Sequence, residues 1–274
     1  MVDAQGSDVR SDAFGQGLAL IRRLGGQQRP AVLDLFESIG EEAFGEQCVE
    51  FIYGDVYHRP GLALPERQLA TIGALTALGY APSQLRFHAK AALNVGCTRQ
   101  QIVESIIQVS SFAGFPATLN ALTAAKEAFA GAEDAEHPAD TADERRPDIN
   151  DRYERGLAAM AEIDGDAGSK VLDALQDIAP DLARYFIEFT FGEIYPRPGL
   201  SRKHREIVTI AACTALGTAA AALKTHIHGL LNVGGTRREV VETLLHLAFY
   251  AGFPAALNAI GAAREVFAER AADR

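Results

Sequence analysis

Histidine, arginine and tyrosine recur in this chain as matched pairs whose chemistry suits a small acid. The pairs are His88 with His226, Arg67 with Arg205, and Tyr57 with Tyr195. A guanidinium group matches the geometry of a carboxylate, and an imidazole changes its charge near neutral pH. We therefore predict sites that hold an anion and transfer a proton.

These pairs arise because the chain contains one sequence unit twice. Residues 54–62 return as residues 192–200, and residues 93–99 return as residues 231–237. The register continues without a gap over residues 51–130, with roughly half of the positions identical, so chance similarity is excluded. Each copy is much longer than a solenoid repeat, and we interpret it as a small domain. Anything built in one copy should have a counterpart in the other.

The length of the chain and its duplication favour two domains. We predict a first domain at residues 12–130, a linker at residues 131–150 and a second domain at residues 151–270. The linker segment is polar and charged, and Pro138 and Pro147 interrupt it.

The periodicity inside each copy is helical. Apolar residues recur at intervals of three and four in residues 102–109 and again in residues 240–247. Thr98 and Thr236 each stand three residues before a glutamine or a glutamate, which is the spacing of a capping box. No stretch alternates as a strand would. We therefore predict an all-α fold of two tandem helical bundles, each of about six helices, related by a pseudo-two-fold axis.

Composition excludes several classes of partner. The net charge of −10 disfavours a nucleic-acid surface, and no apolar run has the length of a membrane span. The first residues are polar and do not resemble a signal peptide. The three cysteines have no close pair, which favours a reducing compartment. We expect a cytoplasmic protein with neither nucleic-acid nor membrane partners.

Three motifs carry a resemblance to a known family. They are Gly-Glu-Ile-Tyr-Pro-Arg-Pro-Gly-Leu at residues 192–200, the His-x-x-x-x-Leu-Asn-x-Gly-x-Thr-Arg pattern at residues 226–237, and Tyr-Ala-Gly-Phe-Pro-Ala-Ala at residues 250–256. They resemble the gamma-carboxymuconolactone decarboxylase family, within the alkylhydroperoxidase D-like superfamily. The resemblance covers roughly residues 14–130 and 153–269.

The resemblance implies an all-helical fold that assembles as a ring of six domains. A chain with two domains would supply a dimer in one piece, so three chains would complete the ring as a homotrimer. The resemblance also implies a decarboxylase that needs no cofactor. Its partner would be a small anionic substrate, an unsaturated lactone or a keto acid.

Peroxide reduction, the activity of another branch of the superfamily, is not expected. The resemblance places a Cys-x-x-Cys motif before the histidine in that branch, but residues 82–88 and 220–226 contain no cysteine. Cys97 lies after the histidine, and its counterpart in the second copy is Gly235. A thiol–disulfide cycle needs two sulfur atoms within bonding distance.

The resemblance implies a Glu-Leu-x-x-His motif around the histidine in the decarboxylase branch, and this chain departs from that motif. Gln84 and Ala222 stand in place of the glutamate, and neither can ionise. The alternative function is therefore a family member whose catalytic site has lapsed and which acts as a ligand-binding or assembly protein.

Decarboxylation without a cofactor needs an anchor for the acid, stabilisation of the dienolate, and an acid that protonates carbon. The predicted catalytic residues are His226, Arg205, Glu193, Tyr195, His88 and Arg67. His226 is expected to donate the proton and Arg205 to anchor the anion, with Tyr195 and Glu193 orienting them.

The second copy has additional histidines, and we predict that it holds the better-formed site. His246 and His228, with Tyr57, are expected to bind substrate, and His246 is placed in the pocket of His226. The side chains of His226, Glu242 and His246 are also of the kinds that bind zinc. However, His226 and His228 point about 200° apart on a helix, and we predict no metal.

Each of these residues also has a purely structural interpretation. Arg67 and Arg205 would be buried partners of Asp55 and Glu193. The tyrosines would be packing residues with a satisfied hydroxyl, and the histidines would be hydrogen-bonded core residues.

Overall fold

The computed structural model describes residues 5–130 and 151–272, and within these ranges the chain is helical with no strand. The all-α prediction is therefore confirmed. The predicted linker at residues 131–150 lies outside the described residues. The first copy contains α1 (Gln5–Gly25), α2 (Ala31–Ser38), α3 (Glu42–Cys48), α4 (Leu64–Leu78), α5 (Pro82–Asn94) and α6 (Arg99–Phe129). The second copy contains α7 (Arg152–Asp164), α8 (Asp166–Leu175), α9 (Pro180–Tyr185), α10 (Arg202–Leu216), α11 (Ala220–Asn232), α12 (Arg237–Leu247) and α13 (Phe253–Ala272).

Local signals place the helix ends where the sequence predicts them. Thr98 accepts a hydrogen bond from the backbone of Gln101, and the side chain of Gln101 accepts one from the backbone of Thr98. Thr236 and Glu239 form the same capping box. Pro82 begins α5, where its missing N–H costs no hydrogen bond. These caps fix where α6 and α12 begin, and with that the faces that they present to the other copy.

The long helix α6 is interrupted at Gly114, whose φ of 79° and ψ of 173° are not helical. The break lies just before Phe115 and Pro116, so a second helical segment begins there. The second copy has two separate helices, α12 and α13, at the equivalent place. Among the described residues, α6 is also the one helix that is long and apolar enough to cross a membrane. Its buried face packs in the core of the first copy.

A π-helical segment precedes the Arg-Pro-Gly-Leu turn in each copy, at Val49–Asp55 and Phe186–Ile194. The sequence patterns do not predict this wider helix. Its glycine lies against the helix that opens the copy, and a Cβ atom at Gly54 would be 2.2 Å from the carbonyl oxygen of Ala13. Glycine is therefore required for this close crossing, which holds the turn and its tyrosine in place.

The two copies pack through α4 and α10 and complete each other's cores. Val208 and Ala212 of α10 belong to the core cluster of the first copy, and Ala70 and Ala74 of α4 belong to that of the second. Gly73 permits the contact, because a Cβ atom there would already lie 3.0 Å from the carbonyl oxygen of Val208.

At this interface, two arginines of the first copy bind one glutamate of the second. Arg59 donates to Glu242 from Nη2 at 2.8 Å and from Nε at 3.1 Å. Arg67 is fully buried, and its Nη2 donates to Glu242 at 3.1 Å and to the carbonyl oxygen of Arg59 at 2.8 Å. We call Arg59, Arg67 and Glu242 the first clamp.

The second clamp consists of Arg197, Arg205 and Glu104. Arg197 donates to Glu104 at 2.8 Å, and the buried Arg205 donates to it at 3.0 Å. The equivalent contacts are made in both directions, as two-fold symmetry requires, so the predicted pseudo-two-fold relation is confirmed. The interpretation that paired the buried arginines with Asp55 and Glu193 is wrong. Because α4 and α10 pack against each other, these arginines face the glutamates of the opposite copy.

We expect Glu242→Gln to destabilise the fold by about 3–5 kcal/mol, because it leaves the buried guanidinium of Arg67 without a carboxylate. Urea unfolding measures the loss. Glu104→Gln is the matched variant of the second clamp and should cost a similar amount. Glu37→Gln, which breaks an exposed pair with Arg29, is the control and should cost little. Buried variants as stable as this control would show that the clamps do not hold the copies together.

Candidate active site

A histidine on α11 and a glutamate on α10 form the centre of a buried cluster in the second copy. His226 Nδ1 donates to Glu206 Oε2 at 2.9 Å, and the hydroxyl of Tyr195 donates to Glu206 Oε1 at 2.5 Å. The ring of Phe112, from the first copy, packs edge-on against the imidazole. The His226 side chain is 7 % exposed, and no described residue hydrogen-bonds its Nε2. This nitrogen is therefore available to a bound molecule.

Two carboxylates set the charge of this cluster. Burial alone would lower the pKa of His226, but the charge and hydrogen bond of Glu206 and the charge of Asp164 together raise it above its ordinary value. Asp164 ends α7, and burial raises the pKa of its carboxyl group to about 6. Burial and the charge of Glu206 also raise the pKa of Tyr195, which stays protonated as a donor. The cluster therefore favours an imidazolium.

The equivalent cluster in the first copy is built around an amide. Gln68 takes the place of Glu206, and its Oε1 lies 2.8 Å from Nδ1 of His88. The Nε2 atom of Gln68 donates to the hydroxyl of Tyr57 at 3.2 Å, and that hydroxyl lies 2.9 Å from the hydroxyl of Tyr250. Burial lowers the pKa of His88 to about 3, so this histidine is neutral at physiological pH.

His246 belongs to the first-copy cluster, although it lies on α12. Its Nε2 is 2.8 Å from the hydroxyl of Thr71, and its ring packs against Tyr57 and Tyr250. Burial, followed by the nearby charge of Arg67, holds the pKa of His246 well below its usual value. The prediction that it lies in the pocket of the second-copy histidine is wrong, because α12 packs against α4 of the other copy.

A cleft of about 1050 Å³ lies beside His88. Its walls come from helices of the first copy and from Phe249 and Tyr250 of the second. Tyr53 and Phe87 add further aromatic surface. The first-copy cluster is therefore reached from a space large enough for a small organic molecule.

The sequence profile of the carboxymuconolactone decarboxylase family matches the chain twice, over residues 42–127 and 180–265. Together these two matches account for more than half of the chain. This chain belongs to the carboxymuconolactone decarboxylase family. The two matches fall one in each copy, as the duplication requires.

Two relatives of the chain bear the names of decarboxylases. A 4-carboxymuconolactone decarboxylase of Acinetobacter baylyi is 38 % identical over 117 residues, which are 42 % of this chain and 87 % of that protein. A nitrosuccinic acid decarboxylase of Metarhizium robertsii is 36 % identical over 74 residues, 27 % of this chain and 50 % of that protein. These names support a decarboxylase-type activity in general.

A solved structure shares the fold. It is described as a gamma-carboxymuconolactone decarboxylase subunit of Burkholderia xenovorans, and it covers 94 % of this chain and 98 % of its own. The TM-score is 0.57 and the sequence identity is 24 %. At this identity the likeness concerns the arrangement of helices alone.

Two residues that the sequence analysis places in the family site lie elsewhere. Glu193 is partly exposed and accepts hydrogen bonds from Arg152 and Arg155, so it does not orient the second-copy histidine. His228 is partly exposed and bonds to Glu269 on α13. Both expectations are corrected for the same reason: each side chain pairs with a residue of its own copy and not with His226.

The predicted anion anchor is already occupied. Arg205 is fully buried and donates to Glu104, to Gln108 at 3.1 Å and to the carbonyl oxygen of Arg197 at 2.8 Å. Arg205 shares the carboxylate of Glu104 with Arg197. Arg67 shares Glu242 with Arg59 in the same way. Both Arg67 and Arg205 are fully buried. The structure does not support a substrate-anchoring role for either arginine.

The zinc hypothesis fails on position. Glu242 binds the arginines of the first clamp and His246 bonds to Thr71, so neither accompanies His226. Among the described residues, no group of three or more histidine, cysteine, aspartate or glutamate side chains is placed to hold a metal ion.

Retention in both copies is a criterion that misses Glu206, because Gln68 stands at the equivalent position. The sequence nevertheless contains a signal. Glu206 is a charged residue that opens an apolar helical stretch, and it follows the retained Arg205 directly. An acid that is present in only one copy, beside a retained arginine, is the signal that identifies Glu206.

Asp164 escapes for a related reason. It lies before the ungapped part of the repeat, and its structural equivalent is Gly25. Asn232 donates to the carbonyl oxygen of the residue before Asp164, and Asn94 donates to that of the residue before Gly25. A Cβ atom at Gly25 would lie 3.0 Å from the ring of Phe87, so this ring fills the space that an acid would need.

We expect the stability of the chain to fall as the pH drops below about 6.5. His88 stays neutral in the folded chain down to a pKa of about 3, whereas the unfolded chain binds a proton near the ordinary histidine value. The unfolded state therefore binds more protons in this window, and each pKa unit of difference is worth about 1.4 kcal/mol. Urea unfolding at a series of pH values measures the slope.

The matched variants for this slope are His88→Gln and His228→Gln. The first should show a shallower loss of stability with acid than the unchanged chain. The second removes a partly exposed histidine, and the difference between the two variants isolates the contribution of the buried ring. A slope unaffected by His88→Gln would contradict a neutral His88.

Proposed function

We propose that the chain catalyses cofactor-free decarboxylation of a small anionic substrate, an unsaturated lactone or a keto acid, at the His226 cluster. The observation that carries this proposal is the hydrogen-bonded pair of His226 and Glu206. Glu206 and Asp164 raise the pKa of His226, which favours the protonated ring that can donate to carbon. The decarboxylase names of the relatives support the same type of reaction.

In the reaction, the bond between the substrate and its carboxylate carbon breaks and carbon dioxide leaves. The electron pair passes into the conjugated system as an enolate. His226 then transfers the proton on Nε2 to carbon, and its ring becomes neutral until solvent protonates it again. Glu206 accepts the Nδ1 hydrogen bond throughout, which orients the ring and stabilises the cation. Tyr195 donates to the same carboxylate and keeps it in place.

The imidazolium of His226 also attracts the substrate anion, in place of the predicted Arg205. Asp164 modulates this attraction, because its carboxyl group has a pKa of about 6. Above that value its negative charge stabilises the imidazolium. Below it, the protonated group no longer repels an anionic substrate.

A second candidate function is ligand binding or assembly without catalysis. Gln84 and Ala222 stand where the family resemblance has a glutamate. In addition, the histidine of the first-copy cluster, His88, is neutral near pH 7. Both observations favour a lapsed site, at least in one copy.

We expect His226→Gln to lower kcat by about a hundred- to ten-thousand-fold, because it removes the positioned acid. Release of carbon dioxide from a panel of unsaturated lactone acids and keto acids measures the rate. Glu206→Gln should also slow the reaction and shift its pH profile to lower pH, since the pKa of His226 falls without the carboxylate. His88→Gln is the matched control in the first copy and should retain most of the activity. Equal losses would mean that both copies work, and an inactive unchanged chain would favour the second candidate.

Exposed apolar side chains lie at equivalent positions of the two copies. Phe115 and Leu119 on α6, and their equivalents Phe253 and Leu257 on α13, are each more than half exposed. Exposed apolar surface of this kind is typical of protein contacts. We propose that three chains associate through it into the ring of six domains that the resemblance implies.

Light scattering at micromolar concentration should give three times the chain mass of 29.3 kDa. Replacing Phe253 and Leu257 together by glutamate should dissociate the ring, because charges in an apolar contact lose their hydration. A monomer of the unchanged chain would remove the assembly proposal. A dimer of chains would break the ring.

A further inference from the structure

The residues around His88, beside the cleft of the first copy, are neutral at two positions where the second copy has acids. Gln68 replaces Glu206, and Gly25 replaces Asp164. Gly25 and His88 both line the cleft. A carboxylate in place of Gly25 would have faced the bound molecule, and a carboxylate in place of Gln68 would have bound His88. The first copy has neither of the two acids that surround the histidine of the second copy, and this changes what its cleft can hold.

The direction of the hydrogen bonds at His88 is fixed by its neighbours. The amide nitrogen of Gln68 donates to Tyr57, so the amide oxygen accepts from Nδ1–H of His88. The neutral ring then has its lone pair on Nε2, which no described residue hydrogen-bonds. With a pKa of about 3, this nitrogen accepts but does not donate near neutral pH. A carboxylate would meet a lone pair there, whereas a hydroxyl group would satisfy it.

We propose that this cleft is a second binding site, for an uncharged molecule with a planar ring and a hydroxyl group, a phenol in chemical class. The hydroxyl donates to Nε2 of His88. The ring lies among the aromatic side chains of Tyr53, Phe87 and Tyr250. The site does not depend on the decarboxylase proposal, which concerns the other cluster.

The size and the walls of the cleft fit such a ligand. Its volume of about 1050 Å³ is close to the upper end of the range for small-molecule sites. Ile21, Leu35 and Phe249 add apolar surface to the aromatic groups. A ring buried among these side chains is stabilised by the removal of apolar area from water, and stacking adds to it.

The charged groups of the lining do not form an anion site. Arg86 is paired with Glu127 at 2.8 Å. Lys90, the other cation of the lining, is exposed, so water and salt screen its charge. Lys90→Gln distinguishes an anion bound at the rim from a neutral ligand bound at His88. The substitution should weaken the binding of the anion and leave the affinity for the neutral ligand unchanged.

The test uses 2-naphthol and 2-naphthoate, which share one ring system and differ in a hydroxyl against a carboxylate. Calorimetric titration of the full chain at neutral pH measures the affinity for 2-naphthol. Displacement of 2-naphthol measures the affinity of 2-naphthoate for the same site. We expect one 2-naphthol per chain, bound about ten- to a hundredfold more tightly than 2-naphthoate, since the carboxylate leaves the Nε2 acceptor unpaired.

Gln68→Glu gives His88 the partner that His226 has. The imidazole should then take up a proton and donate from Nε2, which moves the preference toward 2-naphthoate by about tenfold or more. Glu206→Gln is the matched change in the second copy and should leave the affinity for 2-naphthol unchanged. Leu35→Trp, at an exposed position of the cleft wall, should lower the affinity for 2-naphthol, because the larger side chain fills the cleft. This variant locates the site even if Gln68→Glu does not fold.

Three outcomes overturn the proposal. The first is 2-naphthoate bound as tightly as 2-naphthol, with that binding lost in Lys90→Gln. The second is no binding of 2-naphthol at concentrations up to about 1 mM, weaker than small-molecule recognition requires. The third is an affinity for 2-naphthol that neither Gln68→Glu nor Leu35→Trp changes.

Discussion

The buried ion pairs between the two copies are the constraint on which the rest of the structure depends. A guanidinium group inside a protein needs a carboxylate partner, because an unpaired buried charge is strongly destabilising. Arg67 and Arg205 each have such a partner in a glutamate of the opposite copy. Among the described residues, Nε of both arginines and Nη1 of Arg67 are buried without a hydrogen-bond partner. The pairing fixes α6 and α12 against the opposite copy, and the same segments then bring Phe112 and Tyr250 onto its histidine. Each cluster is therefore composite, because it contains side chains from both copies.

Much of the fold could be predicted from the sequence because its signals are local. Caps at Thr98 and Thr236, and the proline and glycine of each turn, are visible within a few residues. The π-helical segments have no such signal. They accompany the crossing of Gly54 over Ala13, a contact between residues far apart in the chain. The partners of the clamp arginines were hidden for the same reason.

The candidate site was predictable in part. His88 and His226 could be found because they are retained in both copies and have suitable chemistry. Their charge could not, since it depends on a side chain of the neighbouring helix that differs between the copies. Gln68 carries no charge, so burial lowers the pKa of His88. In the second copy, the carboxylate of Glu206 raises the pKa of His226. Retained residues identify the common scaffold, and the differences determine what each cluster can do.

The composite clusters have a consequence for how such a chain can evolve. In a homodimer, every substitution appears at both sites, because symmetry makes them identical. Covalent fusion of the two halves removes that equality. A mutation at Gln68 changes one cluster and leaves the one at Glu206 untouched, although both share the same interface. One gene can therefore specialise two sites independently without having to assemble unlike subunits.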